Sequence, residues 1–166
     1  MVKATGARGH SLMEILVVMI VIGVLATVAP RLLIQVNQFF IFSWVKADLQ
    51  REGRAAMYLI NRDLHQALSN TIRIDQAGGQ PYYSRIAFTK IQGTGMTFYQ
   101  NGTNLMMTDG GNPAKRLSTS LRYLAFSFPR SNDLTIVSVS LTLEKNIYRA
   151  NKKALHMASE KVRVMN

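Results

Sequence analysis

Three histidines, nine carboxylates and no cysteine are the raw material for chemistry in this chain. His10, His65 and His156 belong to no recognisable partner motif. His65 lies beside Asp63 and Gln66 on a helical stretch, but residues one or two apart do not share a helix face, which makes it a surface or packing residue. Asp75, Asp109 and Asp133 sit in or beside loops without the D-x-D-x-D-G spacing of a calcium loop, and no P-loop or HExxH string occurs. Without cysteine there is no disulfide framework, thiolate nucleophile or Cys-rich zinc site. No nucleophile, base and orienting group coincide. Catalysis, a bound metal and a cofactor are therefore not expected.

Charge is the second chemical resource. The 166 residues carry 20 Lys+Arg against 9 Asp+Glu, a net charge of +11, with 48% apolar and 17% charged residues, a composition suited to one modest folded domain. The C-terminal stretch concentrates this basicity in Lys145, Arg149, Lys152, Lys153, Lys161 and Arg163, against Glu144 and Glu160. Such a cluster is either a solvated face or a contact for polyanions, DNA or anionic lipid head groups. A basic balance alone lacks the interleaved aromatics or groove-reading motif of a specific nucleic-acid site.

Hydropathy is distributed unevenly. Ile15 to Ala29 is an uncharged apolar run, and Leu32, Leu33 and Ile34 extend it past Arg31 to a window of 20 residues with one charge. That matches the roughly 20 helical residues that cross a hydrocarbon core of about 30 Å. Lys3 and Arg8 precede the run, and residues 1 to 13 hold no acid, which places the N-terminus in the cytoplasm and everything after the run outside. Residues 46–166 then form the exported part, with 17 Lys+Arg against 8 Asp+Glu. Two features set the segment apart from an ordinary secretory signal cleaved near Val24-Leu25-Ala26: Gly9 stands immediately before it, and Glu14 sits at its mouth. Ser11-x-x-Glu14 also has the form of a helix capping box.

The string Gly9-His10-Ser11-Leu12-Met13-Glu14, followed by ILVVMIVIGVLATVAP, resembles the type IV prepilin processing motif. The resemblance implies removal of residues 1–9 by prepilin peptidase, which cuts between Gly9 and His10, and N-methylation of His10, a position where the family usually has Phe or Met. It makes Glu14 the family's glutamate, which pairs with the amine of a neighbouring subunit, and Pro30 the family's helix-kinking proline. It further implies a single-pass protein of the bacterial cytoplasmic (inner) membrane that moves into a pilus or pseudopilus fibre. The implied partners are other pilin or pseudopilin subunits, prepilin peptidase, the inner-membrane assembly platform and membrane lipid.

Beyond Pro30 the apolar residues Phe42, Val45, Leu49, Ala56, Ile60, Leu64 and Ala67 recur at helical spacing, while Lys46, Arg51, Arg54 and Arg62 mostly point elsewhere. One helix from Ser11 to about Ser69 is expected, about 90 Å long at 1.5 Å per residue. It should be bent or locally melted at Pro30 and weakened at Gly23 and Gly53. Phe39, Phe40, Phe42 and Trp44 are either an interfacial aromatic belt or packing residues against neighbouring helices. The organisation expected is thus a leader (1–9), an assembly helix (10–45) and an exported domain (46–166) that begins with helix 46–69.

From Thr71 the period changes to two. Strands are expected at 85–91, 96–100, 104–108, 121–128 and 134–143, with a hairpin at Asn101-Gly102, a bulge near Ile136-Val137, and closure by 158–164. The turn accounts for the sequon Asn101-Gly102-Thr103. The fold class is α+β, a long N-terminal helix packed on a mostly antiparallel sheet. Arg54-x-x-x-Tyr58-Leu-Ile-Asn-Arg62-Asp63-Leu64-x-Gln66-Ala67, the IAF string at Phe88 and the RYLAFSF strand resemble, more loosely, the J-type pseudopilins of type II secretion and the W-type minor pilins. That resemblance implies a structural subunit at the fibre tip that helps start assembly. The alternatives are a competence-type subunit that binds DNA through its basic surface, and a plain signal-anchored envelope domain.

Overall fold

The helix α1 runs from Leu12 to His65 in a computed structural model that describes residues 11–147 and 152–164. The chain divides into two compact units, Met1–Ile41 and Phe42–Asn166. In the first, every described residue from Leu12 on is helical. Pro30 withholds the amide that would reach the Ala26 carbonyl, yet the helix continues through it. The local melting expected at Pro30 does not occur, because a single missing hydrogen bond is outweighed by propagation of helix on both sides. Thr27 Oγ1 donates back to the Val24 carbonyl at 2.8 Å, so this hydroxyl is satisfied without water.

In the second unit α1 buries Leu49, Gly53, Ala56, Met57, Ile60, Asp63 and Leu64, a single stripe at helical spacing. The helix stops at His65 rather than Ser69. Its last amides tighten to i+3 bonds, Gln66 to Asp63 and Ala67 to Leu64, and the Leu68 amide is then captured by the Thr89 carbonyl at 2.9 Å. A 3-10 turn at Ser69–Thr71 follows. Gly53 is a packing site rather than a mere weakness. A Cβ there would stand 2.7 Å from His156 Cδ2 and 3.5 Å from Leu143.

The strands are β1 (Arg73–Asp75), β2 (Arg85–Thr89), β3 (Gly95–Asn101), β4 (Asn104–Asp109), β5 (Lys115–Ser118), β6 (Leu121–Ser127), β7 (Ile136–Asn146) and β8 (Lys153–Arg163). They form an α+β fold with two antiparallel sheets in place of the single one expected, five strands ordered β1-β2-β3-β4-β5 and three ordered β6-β7-β8. The short edge strands β1 and β5 carry too few apolar residues to announce themselves. In β3 and β7 alternate residues are buried, and Phe98, Phe126, Leu141 and Leu143 join Leu49, Ile60 and Leu64 in one core.

Two local details differ from expectation. Asn101 pairs with Asn104, so the two-residue hairpin loop is Gly102-Thr103, with Gly102 at φ +59°. Gly at the first central position is the requirement of a type II′ turn. The bulge lies in β6, where pairing with β7 skips between Leu121 and Tyr123, whereas β7 pairs with β8 without interruption. The phase slip near Ile136-Val137 is simply the start of β7, since Leu134 and Thr135 precede it.

The two sheets are joined by a buried side chain. Gln100 Nε2 donates to the carbonyls of Gly102 (3.0 Å) and Arg122 (3.3 Å), and its Oε1 accepts from the Leu124 amide at 3.2 Å. The amide thus pairs with the edge of β6 as a neighbouring strand would. Gln100→Leu leaves the Leu124 amide without this acceptor, and a buried group so stranded costs about 1–3 kcal/mol. We expect a loss of roughly 2 kcal/mol, read as a lower urea midpoint at unchanged m-value.

Candidate functional site

Two regions carry the residues singled out in the sequence: the first half of α1 and the basic surfaces of the second unit. Ser11 stands immediately before the first helical residue, and its carbonyl accepts the amides of Glu14 (2.9 Å) and Ile15 (3.2 Å), the backbone geometry of a helix N-cap. Glu14 is exposed on the first turn. Gly9 and His10, the expected processing pair, lie outside the described residues.

From Ser11 to Phe40 every residue is exposed, including Ile15, Leu16, Val17, Val18, Ile20 and Leu25. An 18-residue window here reaches a mean hydropathy of 2.7 with none of it buried. A helix apolar on all sides is unstable in water and belongs either in a protein core or in a bilayer. α1 is therefore long and apolar enough to cross a membrane once. Phe39 and Phe40 at its end and Phe42 and Trp44 beyond it are also exposed.

The basic C-terminal residues do not form one patch. Lys145 Nζ is 3.1 Å from Asp48 Oδ2 on α1, and Lys153 pairs with Glu144, which also holds Arg122. The Lys145 hydrogen bond and charge, aided by Arg51, hold the Asp48 carboxyl below the usual range. The hydrogen bonds from Lys153 and then Arg122 do the same for Glu144. These cations are thus engaged within the protein. Lys161 and Arg163 stand at the far end of β8, eight and ten residues from Lys153, or about 26 and about 33 Å at 3.3 Å per residue. Arg149 falls outside the described residues, and Lys152 lies just before β8.

The chain matches no protein-family model and no curated protein.

Geometry adds what residue types did not disclose. Asp63 is fully buried, 3.1 Å from Lys90 Nζ and 3.1 Å from the Arg62 guanidinium through Oδ1, while its Oδ2 has no hydrogen-bond partner. This links α1 to the end of β2. His65 sits on the helix surface with Nδ1 2.8 Å from the Arg163 carbonyl. Among the described residues no three His, Asp or Glu side chains gather as a metal site. The surface of the described residues includes hollows. One, of about 370 Å³, is lined by Trp44, Val45, Ala47, Asp48, Arg51 and Lys145. Another, of about 330 Å³, is bordered by Gly102, Thr103, Leu121, Arg122, Glu144 and Asn146. Neither brings a nucleophile to a base.

A second basic surface was legible only in part. Arg51, Arg54, Tyr58 and Arg62 are spaced by three, four and four residues, which puts them on one helix face, opposite the stripe of Leu49, Ala56 and Ile60. The sequence signal was the displacement of these arginines from the apolar face. Tyr58, part of the string that begins at Arg54, is exposed among them.

Proposed function

We propose that this protein is a pilin-like minor subunit, a structural and assembly component of a type IV pilus or type II secretion pseudopilus. It is held in the cytoplasmic membrane by the first half of α1 until it is drawn into a fibre. The observation that carries the reading is an unburied apolar helix that begins at Leu12, holds Glu14 in its first turn and continues into a folded α+β unit. Such a helix exchanges lipid contacts for contacts with neighbouring helices, so the work is done by packing. On this reading the chain is the substrate of a peptidase rather than an enzyme, requires no cofactor, and stands at the fibre tip, where the sheets select its neighbours.

The test is the intact mass and N-terminal fragment spectrum of the protein recovered from membranes with and without prepilin peptidase. The expected product begins at His10, one methyl heavier, and retains residues 1–9 when the peptidase is absent. A chain that begins at Met1 in both preparations, or near Thr27, defeats the proposal.

A further inference from the structure

We propose that the outer edge of β8 is a docking site for an extended segment of another protein, which adds to the three-stranded sheet as a further strand and sets an acidic side chain against Lys161. Which backbone groups point outward follows from the two ends of the ladder that β8 makes with β7. The Lys152 carbonyl accepts from the Ile147 amide (2.9 Å), and the Val164 amide donates to the Thr135 carbonyl (2.7 Å). Antiparallel pairing alternates residue by residue, so the even-numbered residues of β8 are engaged with β7 and the odd-numbered ones face away. At Arg163 the outward carbonyl is already met by His65 Nδ1 at 2.8 Å. From Lys153 to Lys161 the outward amides and carbonyls make no hydrogen bond among the described residues.

Such a row is a template for another strand, and the edges of folded proteins are ordinarily short, bulged, covered, interrupted by proline or charged. The other edges conform. β1 and β5 have three and four residues, and the edge of β6 is closed by Thr103, Gln100 and Tyr83. β8 has 11 residues, contains no proline and pairs with β7 without a bulge. Its lysines stand at 153 and 161 and leave the middle unguarded, where Leu155 is 52% and Met157 77% exposed.

The side chains along this edge select the occupant. Lys153 is shared with Glu144, whereas Lys161 forms no ion pair among the described residues, and Arg163 lies two residues on along the same face. A second copy of the chain fits poorly. Antiparallel pairing centred on Met157 puts Lys153 opposite Lys161, and pairing centred on Ala158 puts it opposite Arg163; like charges directly opposed are destabilising. A segment with apolar residues opposite Leu155 and Met157 and a carboxylate opposite Lys161 meets each feature of the edge. Main-chain hydrogen bonds then supply affinity, and alternate side chains supply selectivity.

The probe is a fluorescent, end-capped peptide, ESTSVSVSE, titrated by anisotropy with the full chain in detergent micelles. Aligned antiparallel, its first glutamate faces Lys161 and its two valines face Met157 and Leu155. Saturable binding is expected. N-methylation of the two valine amides should weaken it roughly tenfold or more, and N-methylation of the serine before each valine should change it less than about twofold, because only alternate amides face β8. Met157→Pro withdraws an outward amide but no ladder bond and should also weaken binding roughly tenfold or more; Met157→Ala keeps that amide and should weaken it less. Lys161→Glu should reverse the preference between ESTSVSVSE and KSTSVSVSE. No binding, equal loss from the two methylation patterns, or equal binding of the two peptides to the unaltered chain would each overturn the proposal. A dimer of the chain that Met157→Pro dissolves would overturn it too, since the edge would then belong to a second copy. The methylated peptides are tested on the unaltered chain, so the result does not depend on the folding of any variant. No peptidase or fibre takes part, so failure here leaves the assembly reading standing, and failure of that reading leaves this one.

Discussion

Asp63→Leu is expected to lower the stability of the second unit by about 3 kcal/mol, the scale on which breaking a buried ion pair leaves one charge uncompensated. The carboxylate is fully buried and shares Oδ1 between Lys90 and Arg62. The two cations respond differently to its loss. Arg62, half exposed, swings into water at little cost, but Lys90 is only 13% exposed and must either bury its charge unpaired or pull its stem out of the packing. The double change Asp63→Leu, Lys90→Met removes both charges and should recover most of the loss, since apolar replacements of a buried pair are often neutral or better. Urea unfolding of the single and double variants gives the coupling. Equal loss in both would mean that Asp63 matters for packing alone.

That ion pair marks the limit of what could be read from residue order. The apolar stripe of α1, the strands around Phe88, Phe98, Phe126 and Val139, and the hairpin at Gly102 follow from periodicity and turn chemistry, because each is set by neighbours within a few residues. Asp63 looks like any acid on a helix. Only the placement of Lys90 by β2 makes it a buried partner, and only the approach of β6 to β3 makes Gln100 a surrogate strand. α1 ends before its apolar period does for the same reason, since Thr89 draws the Leu68 amide out of the helical path. The basic residues from Lys145 to Arg163 read as one cluster along the chain, but an extended β8 holds its two ends far apart. The helix does the reverse and gathers Arg51, Arg54, Tyr58 and Arg62 on one face.

On the pilin-like reading proposed above, Glu14→Ala should leave cleavage after Gly9 intact and cut the share of protein in the fibre roughly tenfold or more. Glu14 is the sole acid before Asp48 and precedes an apolar stretch exposed on every side. A carboxylate at a helix centre in a bilayer costs about 2.5–3.5 kcal/mol, less toward the interface. Alanine therefore inserts more readily, and loss of the residue cannot act by weakening the anchor. If a neighbouring subunit's amine meets the carboxylate, that pairing fixes the axial register of each addition, and every 1.4 kcal/mol forfeited is a factor of ten in assembly. Immunoblots of sheared fibre and membrane fractions give the ratio directly. Normal incorporation of Glu14→Ala with normal processing would sink the register role.

The strand order within each sheet follows the order of the chain. Each ladder therefore closes between adjacent segments, at small loop entropy, and can form as a succession of hairpins on the microsecond scale. The contacts of α1 with the last two strands are of another kind: His65 with Arg163 and Asn61 with Glu160 of β8 lie 98 and 99 residues apart, and Asp48 with Lys145 of β7 lies 97 apart. Closure of the helix onto the last two strands is accordingly the step with the largest loop-closure entropy. Until it closes, the residues that receive Leu49, Ile60 and Leu64 in the one core lack their cover.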